Sequence, residues 1–310
     1  MTPLRKLHLW AGLVTGLFLS LIGLSGAILL FREPLERVAP RAARTPGCRT
    51  LPVDESVSRA LAGSGARPSY VQFPASGDGP LEVVAVGPGT QVKFVAVDQC
   101  SGALLGPVSE ARPWLRFVSR VHRNLLLGGT GRRLLVALAV ALLFLAASGL
   151  VMARRSGRSA HRVIGLWASP ILAVYAISAL LLILKPGDPV PPTRTGAVVS
   201  LGIVSYLHKA SNVLPEGQIS WIQLGDPVVV RVRMPGDLQK RGSNDIDLHP
   251  ATGDVMRVNR IENKGIIRVT LAALHFGEAA SPWAWPLYAT AGAAPFLLLS
   301  SALILLFRKG

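Results

Sequence analysis

Acidic residues are scarce in this chain of 310 residues: 17 Asp and Glu stand against 33 Lys and Arg, a formal net charge of +16. Cysteine is scarcer still, with only Cys48 and Cys100, too few and too far apart for a C-x-x-C metal or redox motif, and no C-x-x-C-H for covalent haem attachment occurs. Also missing are G-x-S-x-G, H-E-x-x-H, a P-loop and a G-x-G-x-x-G after a strand, which removes the usual signatures of serine hydrolases, zinc peptidases, nucleotide hydrolases and dinucleotide-binding domains. No stretch reads as a flavin or nicotinamide domain, so if electrons move, their donor is expected to be another molecule.

Apolar sequence is what the chain has in excess. Hydrophobic residues make up 50% of it, and they are concentrated in residues 9–31, 134–153, 163–184 and 286–307, each free of charge. Runs of about 20 such residues are long enough to cross a hydrocarbon core of about 30 Å. The first run is longer than a signal-peptide core and is read as retained. Arg5 and Lys6 before the first span, the "RRSGR" run with Arg162 between the second and third, and Arg308 and Lys309 after the fourth contain no acidic residue. Such clusters stay cytoplasmic, which predicts a bacterial inner-membrane protein with both termini in the cytoplasm and two exported segments in the periplasm. Arg116, Arg120, Arg123, Arg132 and Arg133 crowd the opposite end of the second span and run against this orientation. Because the cations gather at span ends and in exported segments, they point to membrane lipid as a partner and not to nucleic acid.

The chain repeats itself. His8 and His122 lie 114 positions apart, as do His161 and His275 (122 − 8 and 275 − 161). "SYVQF" at 69–73 corresponds to "SWIQL" at 220–224, and Gly102 of "VDQCSG" to Gly253 of "DLHPATG", both at an offset of 151. "AASG" at 146–149 corresponds to "LSSA" at 299–302 at an offset of 153. Each half reads as span, exported domain, span. Inside the exported segments, "DESVSRALAGSG" and "VSYLHKASNV" read as helices, followed by short β-branched or alternating strands. The expected fold is therefore a membrane α-helical bundle of four transmembrane helices with two small periplasmic α+β domains, an internal duplication with a pseudo-twofold axis along the membrane normal. Its segments are transmembrane helix 1 at 7–31, domain 1 at 32–112, and an interfacial helix with transmembrane helix 2 at 113–154. A cytoplasmic loop at 155–160 leads to transmembrane helix 3 at 161–185, domain 2 at 186–266, and an interfacial helix with transmembrane helix 4 at 267–308.

That symmetry sets His8 beside His161 at the cytoplasmic face and His122 beside His275 at the outer face. Two imidazoles from neighbouring helices complete the six-coordination of a haem iron, so the four histidines are candidate ligands of two non-covalent b-type haems. "HLWAG" and "HRVIG" place Gly12 and Gly165 four residues after the inner histidines, on the same helical face, where a missing side chain would let a macrocycle approach the backbone. An amphipathic side chain at the headgroup boundary is the competing reading for each histidine. His208 and His249 read as surface residues. Cys48 and Cys100, both in the first exported segment, are a candidate disulfide in an oxidising compartment. Arg116, Arg120 and Arg123 in "RPWLRFVSRVHRNLL" are candidate contacts for haem propionates or another anion, or for lipid phosphates.

"LRKLHLWAGLVTGLFLSLIGLSGAILLF", "VHRNLLLGGTGRRLLVALAVALLFLAASGLV", "HRVIGLW" and "LHFGE" resemble the span signatures of the PepSY-associated transmembrane helix family. The exported units, with "VDQCSG" and "LHPATGD", resemble PepSY domains. The family includes iron-regulated inner-membrane proteins, among them a ferric-siderophore reductase with two haems. The resemblance implies that His8 and His161 match its inner ligands and His122 and His275 its outer ones, and that the partners are a ferric siderophore or another Fe(III) chelate and an electron donor, either quinol or a cytoplasmic flavin reductase. The expected function is a ferric-chelate reductase passing electrons across the bundle. Two alternatives stand beside it: a PepSY membrane protein restraining an exported peptidase without haem, and a metal transporter, which the near absence of acidic residues from the spans disfavours.

Overall fold

The computed structural model describes residues 2–32, 35, 48–74, 79–88, 92–107, 113–153, 159–184, 200–261, 265–278 and 284–307. The basic residues Arg154, Arg155, Arg158, Arg308 and Lys309, and most of the expected loop at 155–160, lie outside them. The chain divides into a helical unit of Met1–Leu35, Trp114–Gly187 and Thr270–Gly310, and a sheet unit of Glu36–Pro113 and Asp188–Val269.

In the helical unit, α1 (Pro3–Leu30) starts where Thr2 accepts a hydrogen bond from the Arg5 amide at 3.4 Å and Pro3 supplies a preset first-turn φ. The other long helices are α4 (Gly128–Ala153), α5 (Ala160–Leu184) and α8 (Trp285–Phe307). These four helices are long and apolar enough to cross a membrane. Their large side chains point outward, Trp10 at 64% and Val14 at 68% exposure, an arrangement that water disfavours and lipid accepts. Small residues face inward. A Cβ on Gly23 would stand 2.1 Å from the Gly292 carbonyl oxygen, so α1 and α8 meet backbone to backbone, as close helix pairs in lipid do. Two shorter helices, α3 (Pro113–Asn124) and α7 (Ile266–His275), lead towards α4 and α8. Between α3 and α4 the chain turns through Leu125 and Leu126 at φ of 51° and 64°, and the turn closes over Gly131, where a Cβ would meet the Asn124 carbonyl at 1.7 Å.

The sheet unit holds α2 (Val53–Leu61), β1 (Arg67–Gln72), β2 (Leu81–Val86), β3 (Val92–Val97) and β4 (Leu104–Pro107) from the first connecting segment. The second contributes α6 (Ile203–Val213), β5 (Gln218–Gln223), β6 (Val228–Arg233), β7 (Asn244–Leu248) and β8 (Val255–Asn259). The sequence predicts two separate α+β domains; instead the strands form one sheet in the order β4-β3-β2-β1-β5-β6-β7-β8. Pairing of β1 with β5 removes an open edge from each half, and it lets a single core form. Val57, Val71, Leu81, Val83, Val95 and Val97 bury against the same cluster as Ile203, Tyr206, Ile222, Val230, Ile246 and Leu248. Asp54 on α2 ties the halves further, accepting from the Ile203 and Val204 amides at 2.6 and 2.9 Å and so capping α6. At the sheet centre Val71 pairs with Ile222, 151 positions later. Arg231 and Asp245 form a buried ion pair, with the Arg231 guanidinium 4.9 Å from the Trp221 ring centre. Cys48 and Cys100 are bonded, with their Cα atoms 5.9 Å apart.

Candidate functional site

Four of the six histidines come together in two pairs inside the helical unit. His8 on α1 and His161 on α5 have ring centres 6.4 Å apart at an interplanar angle of 86°. His122 on α3 and His275 on α7 are 6.1 Å apart at 49°. His8 and His161 lie near the starts of long helices, and His122 and His275 in the last turns of short ones. His208 and His249 are exposed on the sheet unit, where the His249 Nδ1 accepts from the Ala251 and Thr252 amides at 3.3 Å each.

What each ring touches decides which nitrogen is available. The His122 Nδ1 lies 2.9 Å from the Ile22 carbonyl on α1, and the His161 Nδ1 lies 3.1 Å from the Leu298 carbonyl on α8. A carbonyl only accepts, so Nδ1 carries the proton in both rings and Nε2 keeps its lone pair. Burial holds the His122 imidazole below its usual range, and burial together with neighbouring His122 pushes His275 down to about 4. Both rings are therefore neutral near pH 7, the form that binds a metal. The His122–His275 pair thus offers two neutral imidazoles to one ion or ligand.

Four residues of this site carry no signal of their own in the sequence. Ser148 Oγ is 2.7 Å from His8 Nδ1, and Ser301 Oγ is 3.1 Å from His161 Nδ1, 140 positions separating each pair. Ser178 Oγ is 2.8 Å from His275 Nδ1 and Ser25 Oγ 3.4 Å from His122 Nδ1, both at 97 positions. The offset of 153 from His8 to His161 also carries Ser25 to Ser178 and Ser148 to Ser301; applied to every polar residue of the spans, it would have found them.

At Gly12 and Gly165 a Cβ would have no histidine ring atom within 4 Å. Their absent Cβ positions face Leu145 and Leu298, each at 3.7 Å, ordinary packing between helices. Backbone approaches the imidazoles at other glycines: a Cβ on Gly26 would be 2.9 Å from His122 Cε1, and one on Gly149 would be 3.4 Å from His8 Cε1. Tyr175 packs its ring 5.8 Å from that of His275, and its hydroxyl donates to the Tyr288 carbonyl at 3.3 Å. On α3, Leu115 is buried while Arg116, Arg120 and Arg123 are exposed. Among the described residues, no group of three or more His, Cys, Asp or Glu gathers into a metal site.

No curated protein matches the chain. The family described as PepSY-associated TM region matches residues 5–309, which takes in three of the long helices, all but the first two residues of α1, and every histidine of the two pairs. The chain is a membrane protein of the PepSY-associated TM family.

Proposed function

We propose that this membrane protein is a dihaem b-type electron-transfer protein of the bacterial inner membrane, reducing an Fe(III) chelate such as a ferric siderophore with electrons from a quinol or a cytoplasmic flavin reductase. The two ring separations of 6.4 and 6.1 Å carry the reading. A histidine–metal bond of about 2 Å plus roughly 1 Å from nitrogen to ring centre gives about 6 Å between two imidazoles on opposite sides of one ion. Among the described residues neither pair belongs to a group of three or more protein ligands, and a haem, which brings its own nitrogen ligands, would need only two from the protein.

His8 and His161 would hold one haem, and His122 and His275 the other. Bound there, the group supplies a one-electron Fe(III)/Fe(II) couple. The chain's own residues fix its surroundings. Hydrogen bonds at Nδ1 orient the rings and leave Nε2 to ligate, and outward-facing apolar side chains keep the bundle in lipid, where water is excluded. Exposed Arg116, Arg120 and Arg123 share α3 with His122 and suit an anion, either a propionate or the chelate itself.

The same reading includes an internal duplication. Val71 pairs with its own counterpart Ile222, which is how a strand meets its copy across a local twofold axis. The histidine–serine separations of 140 and 97 each occur twice. With Arg5, Lys6 and Arg162 on the cytoplasmic side, the sheet unit is periplasmic and the chelate is reduced there.

Protein reconstituted in liposomes with a membrane quinol should release ferrous iron from an external ferric siderophore, captured by a chromogenic chelator, faster than empty liposomes do. His122→Ala should abolish the excess rate. A rate untouched by His122→Ala overturns the proposal. A colourless protein with no rate favours the haem-free readings, a PepSY regulator or a transporter.

A further inference from the structure

The four serine contacts do more than fill space. Each hydroxyl has one proton, and each gives it to a carbonyl of its own helix: Ser148 Oγ donates to Phe144 O at 2.6 Å, Ser178 to Val174 O at 2.7 Å, Ser25 to Ile22 O at 2.9 Å and Ser301 to Leu298 O at 2.9 Å. A serine so committed faces its histidine as an acceptor. The imidazole Nδ1 must then be the donor, and the ring is held in the tautomer whose Nε2 is bare. Free imidazole side chains in water favour the opposite tautomer, so without these acceptors the available nitrogen would be the wrong one.

We propose that Ser25, Ser148, Ser178 and Ser301 are positioning residues that fix the tautomer and orientation of the four histidines, and that their influence is graded by how many acceptors each ring has. The role as ligand-shell residues rests on the haem reading; the tautomer itself does not. His161 has two acceptors at 3.1 Å, the Leu298 carbonyl and Ser301. His122 has the Ile22 carbonyl at 2.9 Å, with Ser25 further off at 3.4 Å. His8 meets Ser148 at 2.7 Å, and His275 meets Ser178 at 2.8 Å with the Tyr175 carbonyl also near. Loss of Ser148 is therefore the most consequential of the four and loss of Ser25 the least. Within the inner pair, Ser148→Ala should matter more than Ser301→Ala, although the two serines occupy matching places.

The test uses the full chain, ¹⁵N-labelled at histidine and prepared from haem-depleted cells. Nitrogen shifts should report the Nδ1–H tautomer for His8, His122, His161 and His275. Ser148→Ala should switch His8 to the Nε2–H tautomer, Ser301→Ala should leave His161 unchanged, and Ser148→Thr, which keeps a hydroxyl able to bond the carbonyl four residues back, should restore the original signal. In haem-loaded protein, Ser148→Ala should weaken inner-site affinity by about 10–100-fold, the usual effect of losing a ligand's hydrogen-bond partner, and shift that site's low-spin electron paramagnetic resonance g-values. An Nε2–H tautomer in the unsubstituted protein, or an unchanged His8 signal in Ser148→Ala, overturns the proposal. If the tautomers behave as stated but no preparation binds haem, the serine assignment stands and the haem reading falls.

Discussion

Gly23→Ala probes a contact on which the His122–His275 pair depends. The added Cβ would sit 2.1 Å from the Gly292 carbonyl oxygen, and reaching ordinary contact at 3.4 Å requires α1 and α8 to part by about 1.3 Å. The obstacle is backbone, so no rotamer change relieves it, and overpacking of this kind costs about 1–3 kcal/mol. Ile22 and Ser25, which flank Gly23, grip the His122 Nδ1 at 2.9 and 3.4 Å. A displacement of α1 by about 1 Å takes both beyond hydrogen-bonding distance. His8 lies 15 residues away along α1, roughly 22 Å at helical rise, and is spared. Gly23→Ala should therefore lower the thermal midpoint of the detergent-purified protein and, on the proposed dihaem reading, remove the signal of the His122–His275 site while that of the His8–His161 site persists. Gly12→Ala is the control: its Cβ would meet Leu145 at 3.7 Å, and replacing a mid-helix glycine without a clash gains roughly 0.5–1 kcal/mol. A Gly23→Ala protein with unchanged midpoint and both haems would refute the packing argument. Loss of a haem signal from the His8–His161 site in Gly12→Ala would instead support Gly12 as the macrocycle seat expected from the sequence.

His8→Ala or His161→Ala should remove one haem signal and leave the other, and His122→Ala or His275→Ala should do the reverse, as read from visible and paramagnetic resonance spectra. Cys48→Ser opens a covalent loop with a sequence separation of 52; closing a loop of that size is worth about 4 kcal/mol in chain entropy, so limited proteolysis of the full chain should cut the sheet unit faster while haem content holds. Asp245→Ala removes the carboxylate to which the buried Arg231 guanidinium donates and should destabilise the sheet unit by about 3–5 kcal/mol, whereas Arg231→Met combined with Asp245→Leu should recover most of that loss, as followed by thermal unfolding.

The four spans are legible in the sequence because a charge-free apolar run of membrane length seldom forms anything but a membrane helix, and the histidine pairs because one spacing occurs twice. The eight-stranded sheet is not legible. "SYVQF" and "SWIQL" read as two independent strands, since side-chain alternation says which face is buried and nothing about which edge will pair. The strand Leu104–Pro107 escapes notice because four residues ending in Gly106 and Pro107 show no period. The serines stay hidden for a physical reason: in an apolar helix a serine satisfies itself on the carbonyl four residues back, so its presence does not by itself announce a second partner. His249 is the converse case. At its matching place in the first half stands Asp98, whose carboxylate accepts from the Cys100 amide at 3.0 Å, just as His249 accepts from Ala251. Both close a turn ending at a glycine of φ 69°, Gly102 and Gly253, and the imidazole there serves as a turn acceptor.

The central claim is that the two imidazole pairs each hold a haem, and a reduced-minus-oxidised visible spectrum of the detergent-purified protein from haem-replete cells, with haem quantified per chain, tests it directly. The account predicts sharp low-spin b-type bands and about two haems per chain. A colourless protein would contradict it.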